Sequence, residues 1–314
     1  FEAAAFADAA RFVGAEFEGA DNATDDNLTF ADATFADAAR FDGAVFSATR
    51  FDGAAFASAV FDDAVLGDDA SFADVAFADD CSFDEARFRR DCSFAGATFE
   101  ACASFAGAEF DGGDNLEDDD ATFRDAAFEG PAVFRAAAFR GATFTDAAFA
   151  DGARFADAGF DRRARFDGAT FADGAVFDEA RFRGDADFSG VRIEADASFR
   201  GAEFHGEANV NHDDVTFADA TVGGDVDFEA ARFRYATFRD IEVTGRTSFD
   251  AAVFEDDAKF SGAALRGTVS LEETRFRDDA AFDDATVGGD LDAAGVEFRG
   301  GDNVLDDDVT FAGA

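Results

Sequence analysis

Residues 77–110 read FADDCSFDEARFRRDCSFAGATFEACASFAGAEF, and in them Phe77, Phe83, Phe88, Phe94, Phe99, Phe105 and Phe110 stand alternately six and five positions apart. Two places before each ring sits a small or modest apolar residue: Val75, Cys81, Ala86, Cys92, Ala97, Ala103 and Ala108. Residues two apart face the same way on an extended chain. Between the pairs lie Asp, Gly, Glu, Arg or Ser, so each unit reads as a very short strand with its apolar side turned inward, followed by a corner of turn formers.

The beat extends outward in both directions. The chain has 314 residues, 45 of them Phe, and where a ring is missing another apolar residue keeps time: Leu66, Ile193, Val222, Val243, Leu265, Leu271, Val287 and Ala293. A helix is the competing reading. A five-residue step would turn a helix by about 140°, so the run Phe41, Phe46, Phe51, Phe56 and Phe61 would scatter its rings around the whole circumference. The 30 Gly would also be costly in helix interiors. A short fixed period with no room for a private core in each unit is the signature of a solenoid.

Four steps of thirteen break the rhythm: Phe17 to Phe30, Phe110 to Phe123, Phe204 to Phe217 and Phe298 to Phe311. They are one motif, with Asn22, Asn115, Asn209 or Asn303 five after the opening ring, Asp26, Asp119, Asp213 or Asp307 nine after it, and Thr-Phe at the close. The residue six after the opening ring is apolar (Ala23, Leu116, Val210, Val304), which leaves open a count of the loop as two sides. The openings define a long repeat over residues 17–109, 110–203 and 204–297, with partial copies at 1–16 and 298–314. Sixteen steps per long repeat divide by four, and folding them in fours makes alternate corners invariant fives while longer steps fall only on the other two. The expectation is one β-helical solenoid over 1–314, four-sided, with about thirteen coils, roughly 60 Å of stacked strands, and all four loops leaving one side.

Ala-Asp-Ala-Thr-Phe at 31–35 and Asp-Gly-Ala-Val-Phe at 42–46 resemble the repeats of the pentapeptide-repeat family over essentially the whole chain. The resemblance implies a right-handed quadrilateral β-helix. The regular sixes depart from a strict pentapeptide and resemble Phe-centred members from halophiles. The chain begins in mid-beat and ends just after a loop motif without a distinct cap, which reads as a piece of a longer array.

With 70 acidic against 26 basic residues the formal net charge is −44, a profile resembling the proteins of salt-accumulating halophiles. Self-repulsion of this size should destabilise the fold at low ionic strength. No apolar run reaches the ~20 residues of a membrane span. Cys81 and Cys92 hold inward positions and Cys102 a corner. They read as filler rather than a disulfide or a nucleophile, which favours a reducing, cytoplasmic setting. The alternative is a cell-surface or membrane-attached array.

Catalytic constellations are not recognisable. His205 and His212 stand beside Asp213 and Asp214 in the third loop, too few ligands for zinc, and neither an enzyme nor a cofactor is expected. The acidic loops, with Asp26, Asp119, Asp213 and Asp307, are weak candidates for Ca²⁺ or Mg²⁺; solvated loops are the plainer reading. The leading expectation is a non-enzymatic scaffold that binds protein or assembles with itself. One alternative follows from the resemblance, since quinolone-resistance members mimic duplex DNA and bind type II topoisomerase. A charge of −44 over the expected length is roughly one per 1.4 Å, against about 1.7 Å for B-DNA. Another alternative is the soluble repeat region of a membrane-attached protein. Direct nucleic-acid binding is disfavoured by the sign of the field.

Overall fold

The computed structural model describes residues 1–17, 28–113, 120–206, 214–299, 309, 310 and 313. Among them every regular element is a β-strand, most of two residues. Parallel pairing stacks these strands into a solenoid of about 12 turns, within one of the number expected from the beats. The chain divides into two compact units, Phe1–Arg154 and Phe155–Ala314.

Four walls make each coil. In the first unit a representative coil places Phe94, Phe99, Phe105 and Phe110 on walls 1 to 4 in order. Wall 2 runs in register through Phe35, Phe56, Phe77, Phe99 and Phe128. Wall 3 aligns Ala59, Cys81 and Ala103, and wall 4 aligns Leu66, Phe88 and Phe110. In the second unit, wall 4 runs through Phe182, Phe204, Phe233, Phe254, Phe276 and Phe298. Residues of equal rank in the beat therefore lie above one another, and each coil's backbone groups are satisfied by its neighbours.

Inside, the rings form columns. Phe83 stacks on Phe105 at 4.9 Å with planes 3° apart, and in the second unit Phe166 stacks on Phe188 at 4.9 Å and 1°. Walls 1 and 3 meet across the interior edge to face, as in Phe72 and Phe83 at 5.4 Å and 90°. Both arrangements suit the aromatic quadrupole. The Ala two before each ring fills the space beside it, so Ala86, Ala97, Ala103, Phe83, Phe94 and Phe105 are wholly buried.

Two kinds of corner join the walls. Leaving walls 1 and 3, the ring residue's carbonyl accepts from the amide three residues on, as in Ala97 N to Phe94 O and Ala108 N to Phe105 O, both 3.1 Å. The residue between takes a left-handed conformation, Gly96 at φ 67° and Gly107 at φ 66°. This is the geometry of a type II turn, and it fixes the step at five. Leaving walls 2 and 4, positive φ among the described residues is confined to Asp69, Gly112 and Gly206. No tight turn sets the length there, so steps of five, six and thirteen all occur.

Many acidic side chains are structural. Asp84 accepts from Ser104 Oγ at 2.5 Å and Ala106 N at 3.0 Å on the next coil. Asp178 does the same with Ser198 Oγ at 2.5 Å and Arg200 N at 3.1 Å, and Asp52, Asp62 and Asp250 repeat the arrangement. A carboxylate placed just after the ring on wall 1 or 3 thus staples one coil to the next.

Candidate interaction surface

The thirteen-residue steps that open at Phe17, Phe110 and Phe204 lead from a ring on wall 4 to a ring on wall 1. Asn22, Asp26, Asn115, Asp119, Asn209, Asp213, His212, Asn303 and Asp307 lie outside the described residues. What the structure places is the base of the second and third loops. Two residues after the opening ring, Gly112 and Gly206 take φ of 62° and 57°. A Cβ at either would run into the side chain of Asp120 or Asp214 respectively, the acids three before the closing ring. Glycine is required on both counts, conformation and space. The two acids are buried, and their carbonyls accept from Cys92 N at 2.9 Å and Ala186 N at 2.8 Å.

An arginine from the following coil reaches under each base. Arg140 Nη1 lies 3.5 Å from Asp111 O, and Arg234 Nη1 lies 3.5 Å from His205 O. Arg234 Nε also stands 3.8 Å from Asp214 Oδ2. Burial pushes the Asp214 carboxyl up to about 6; Arg234 opposes this, and Asp185 and Asp256 add to it. His205 sits exposed at the loop base with Nε2 3.3 Å from Glu203.

The same corner carries a carboxylate cluster that the beat alone does not single out. Oxygens of Asp256, Asp257 and Asp278 all lie within 4.8 Å of one another. Burial, then Asp256, Asp278 and Asp279, raise the Asp257 carboxyl, with Lys259 opposing. The signal was present as matched acidic pairs at 256–257 and 278–279, but it was hidden among 70 acids. The Gly–Asp clasp of the second and third loops was also written in the sequence, as Gly112 and Gly206 two after the opening ring and Asp120 and Asp214 three before the closing one.

The cysteines are free thiols. Burial pushes Cys81 and Cys92 well above the usual thiol range, which keeps them protonated and inert. Cys102 is half-buried and raised less. Among the described residues, no helix is long and apolar enough to cross a membrane.

The pattern described as pentapeptide repeats (9 copies) matches residues 41–87, 72–118, 118–159, 166–212 and 249–297. The chain belongs to the pentapeptide-repeat family. No curated protein matches it. Among solved structures it is similar to a trypsin-treated variant of QnrB1, a plasmid-mediated fluoroquinolone resistance protein, at 15% identity over 83% of this chain and 91% of that one, with a TM-score of 0.28. It is also similar to HetL, a pentapeptide-repeat protein involved in heterocyst differentiation regulation from the cyanobacterium Nostoc sp. strain PCC 7120, at 14% identity over 87% and 83%, with a TM-score of 0.18. The family assignment rests on the repeat matches, and the pentapeptide-repeat scaffold it implies is the one the ladders describe.

Proposed function

We propose that this pentapeptide-repeat protein is a non-enzymatic scaffold that binds protein partners, further copies of itself included, through its walls and its loop-bearing corner in a salt-rich cytoplasm. The observation that carries this reading is the division of chemistry: inward positions hold hydrocarbon, while charge is displayed outward at the coil pitch. Such a surface offers many weak, regularly spaced contacts and suits a partner with its own repeat. Cross-linking with mass spectrometry in a lysate of the source cells tests it. Cross-links to protein partners or to further copies, on the walls and on the corner between walls 4 and 1, support the scaffold; the absence of any cross-link to another protein or a second copy overturns it.

The DNA-mimic reading draws on the charge of −44. Against it, Asp52, Asp62, Asp84, Asp178 and Asp250 are committed to stapling coils rather than presented like phosphates. Supercoiling by a type II topoisomerase in high salt discriminates: no inhibition at a large molar excess of this protein ends that reading.

A further inference from the structure

Basic residues are scarce, 26 in 314, and in the second unit they gather on one wall. The positions just before and just after each inward residue share the outer face. On wall 4, over the six coils from Phe182 to Phe298, these positions hold seven arginines and three glutamates. On wall 3, over the six coils from Phe177 to Ala293, they hold six carboxylates and a single arginine, Arg200. Two adjacent walls of one unit thus carry opposite charge, in a chain whose net charge is −44.

Part of this charge is matched within the chain. On wall 3, Arg200 meets Asp227 at 2.9 Å and Glu229 at 2.7 Å. On wall 4, Arg181 meets Glu203 at 3.8 Å and Arg277 meets Glu255 at 3.4 Å. Arg232 and Arg275 on wall 4 and Glu272 on wall 3 are exposed and form no ion pair among the described residues. Each wall therefore keeps charge to spare, positive on one and negative on the other.

We propose that wall 3 of one copy docks on wall 4 of the next, and that four copies joined in this way close a ring about an axis parallel to the coil stack. The inference rests on the self-association part of the function proposed above. Rotation about such an axis keeps the coil order, so each coil meets its equivalent. It also makes the strands of the two facing walls run in opposite directions, so the residue before a ring on wall 4 faces the residue after a ring on wall 3. Arg181 then faces Asp178 of the second copy, Glu203 faces its Arg200, Arg232 its Glu229 and Arg275 its Glu272. The one arginine of wall 3 thereby meets a glutamate. Along the other edge of the contact Arg234 faces Asp227 of the second copy and Arg299 faces its Asp292. No two like charges oppose each other at these positions. Within one chain Arg234 and Asp227, like Arg299 and Asp292, stand at the outer ends of two different walls, so their match is no by-product of pairing across a corner. A slip of one coil would set Arg181 against Arg200 and Glu203 against Glu229, which fixes the level of the two copies. Adjacent sides of a four-sided coil stand at about 90°, so each contact turns the next copy by that angle and the fourth contact closes the ring, as a finite heterologous assembly requires. The corner that carries the loops lies at the outer edge of each contact, where the carboxylates of Asp256, Asp257 and Asp278 come beside Arg246 of the second copy. Contact-level pairing of this kind survives salt that screens the repulsion between acidic molecules, since at 1 M the screening length falls to about 3 Å.

Sedimentation equilibrium of the whole chain at about 100 μM, in salt that preserves its β circular-dichroism spectrum, should show a four-chain species that outweighs dimers and trimers, because the closing contact forms without a further loss of freedom. Arg275→Glu alone and Glu272→Arg alone each change one exposed group and set like charges across every contact. Each should sediment as a monomer with an unchanged spectrum, its association at least ~10-fold weaker. An equimolar mixture of the two variants should recover the four-chain species, since a ring in which they alternate has opposite charges at every contact. A wild type that is monomeric throughout overturns both the ring and the self-association beneath it. A dimer as the largest species, an assembly unchanged in either variant, or a mixture that stays monomeric overturns the ring while leaving self-association standing.

Discussion

The corners leaving walls 1 and 3 and those leaving walls 2 and 4 are built from the same residue types and behave differently. At the first kind a carbonyl–amide bond spanning three residues and a left-handed residue close the turn, as at Gly96, Gly107, Gly190 and Gly201. At the second kind the chain runs on through the corner in a continuous strand, as in Val45–Arg50 and Ala148–Arg154, or departs into a long loop. One kind of corner measures the coil and the other is free to be lengthened. Variation that could serve recognition is thereby confined to two edges, and the ring columns never lose register.

A one-residue insertion breaks the comparison most severely. A Gly added after Gly107 lengthens a measured corner and turns the following strand inside out; it should cost more than ~4 kcal/mol or abolish cooperative unfolding in a thermal melt. A Gly added after Ser47 turns the five from Phe46 to Phe51 into the six already used from Leu66 to Phe72 and should cost under ~1 kcal/mol.

Next comes the loop base. Gly206→Ala imposes both left-handed strain and a clash with Asp214, about 3 kcal/mol in urea unfolding. At the measured corner, Gly190→Ala has φ 63° and nothing within 4 Å of the new Cβ, so only the ~1 kcal/mol of strain applies.

Asp214 makes the open corner pH-dependent. Its carboxyl titrates near 6 in the fold and near 3.9 when unfolded, so the folded state binds the proton more tightly. The destabilisation is full above pH 6, is relieved as pH falls, and is gone below about 4, at most about 3 kcal/mol in all. Comparing wild type with Asp214→Asn across pH 4–7 isolates it: the stability difference should vary with pH in this direction and level off at both ends.

Smaller effects sharpen the measured corner. Asp84→Ala removes the acceptor for Ser104 Oγ and Ala106 N and should lower stability by ~1 to 2 kcal/mol. Asp63, left-handed at φ 56°, should gain a few tenths of a kcal/mol on replacement by Gly, relief of strain being partly offset by a freer unfolded chain. Both are readable as shifts in urea midpoint at constant slope.

The phenylalanine beat is legible because the ring positions within the stack are buried and so admit few residue types; that is why Phe83, Phe88 and Phe94 announce the walls directly. Substitutes such as Ile193, Val222 and Val243 stay legible because burial, rather than aromaticity, is what the position demands. The corner chemistry was harder to read. Asp84 as a coil staple, Asp63 as a turn residue and Asp256 as part of a carboxylate cluster carry the same letter in the sequence, and only the stacking of coils 20 or more residues apart separates their roles. The loops at Asn115 and Asn209 were recognisable as a motif from their thirteen-residue step alone.

Parallel register between coils also has a mechanical consequence. A coil is joined to its neighbours by ladders whose bonds lie along the stacking direction, so a pull between the ends of a unit loads few bonds at a time and opens them in series. Stretching should therefore peel coils singly at low force. Each event would release about 22 residues, the offset between Phe83 and Phe105, or roughly 70 Å of contour. Such a stack is compliant under tension, a spring whose extension is counted in rings of phenylalanine.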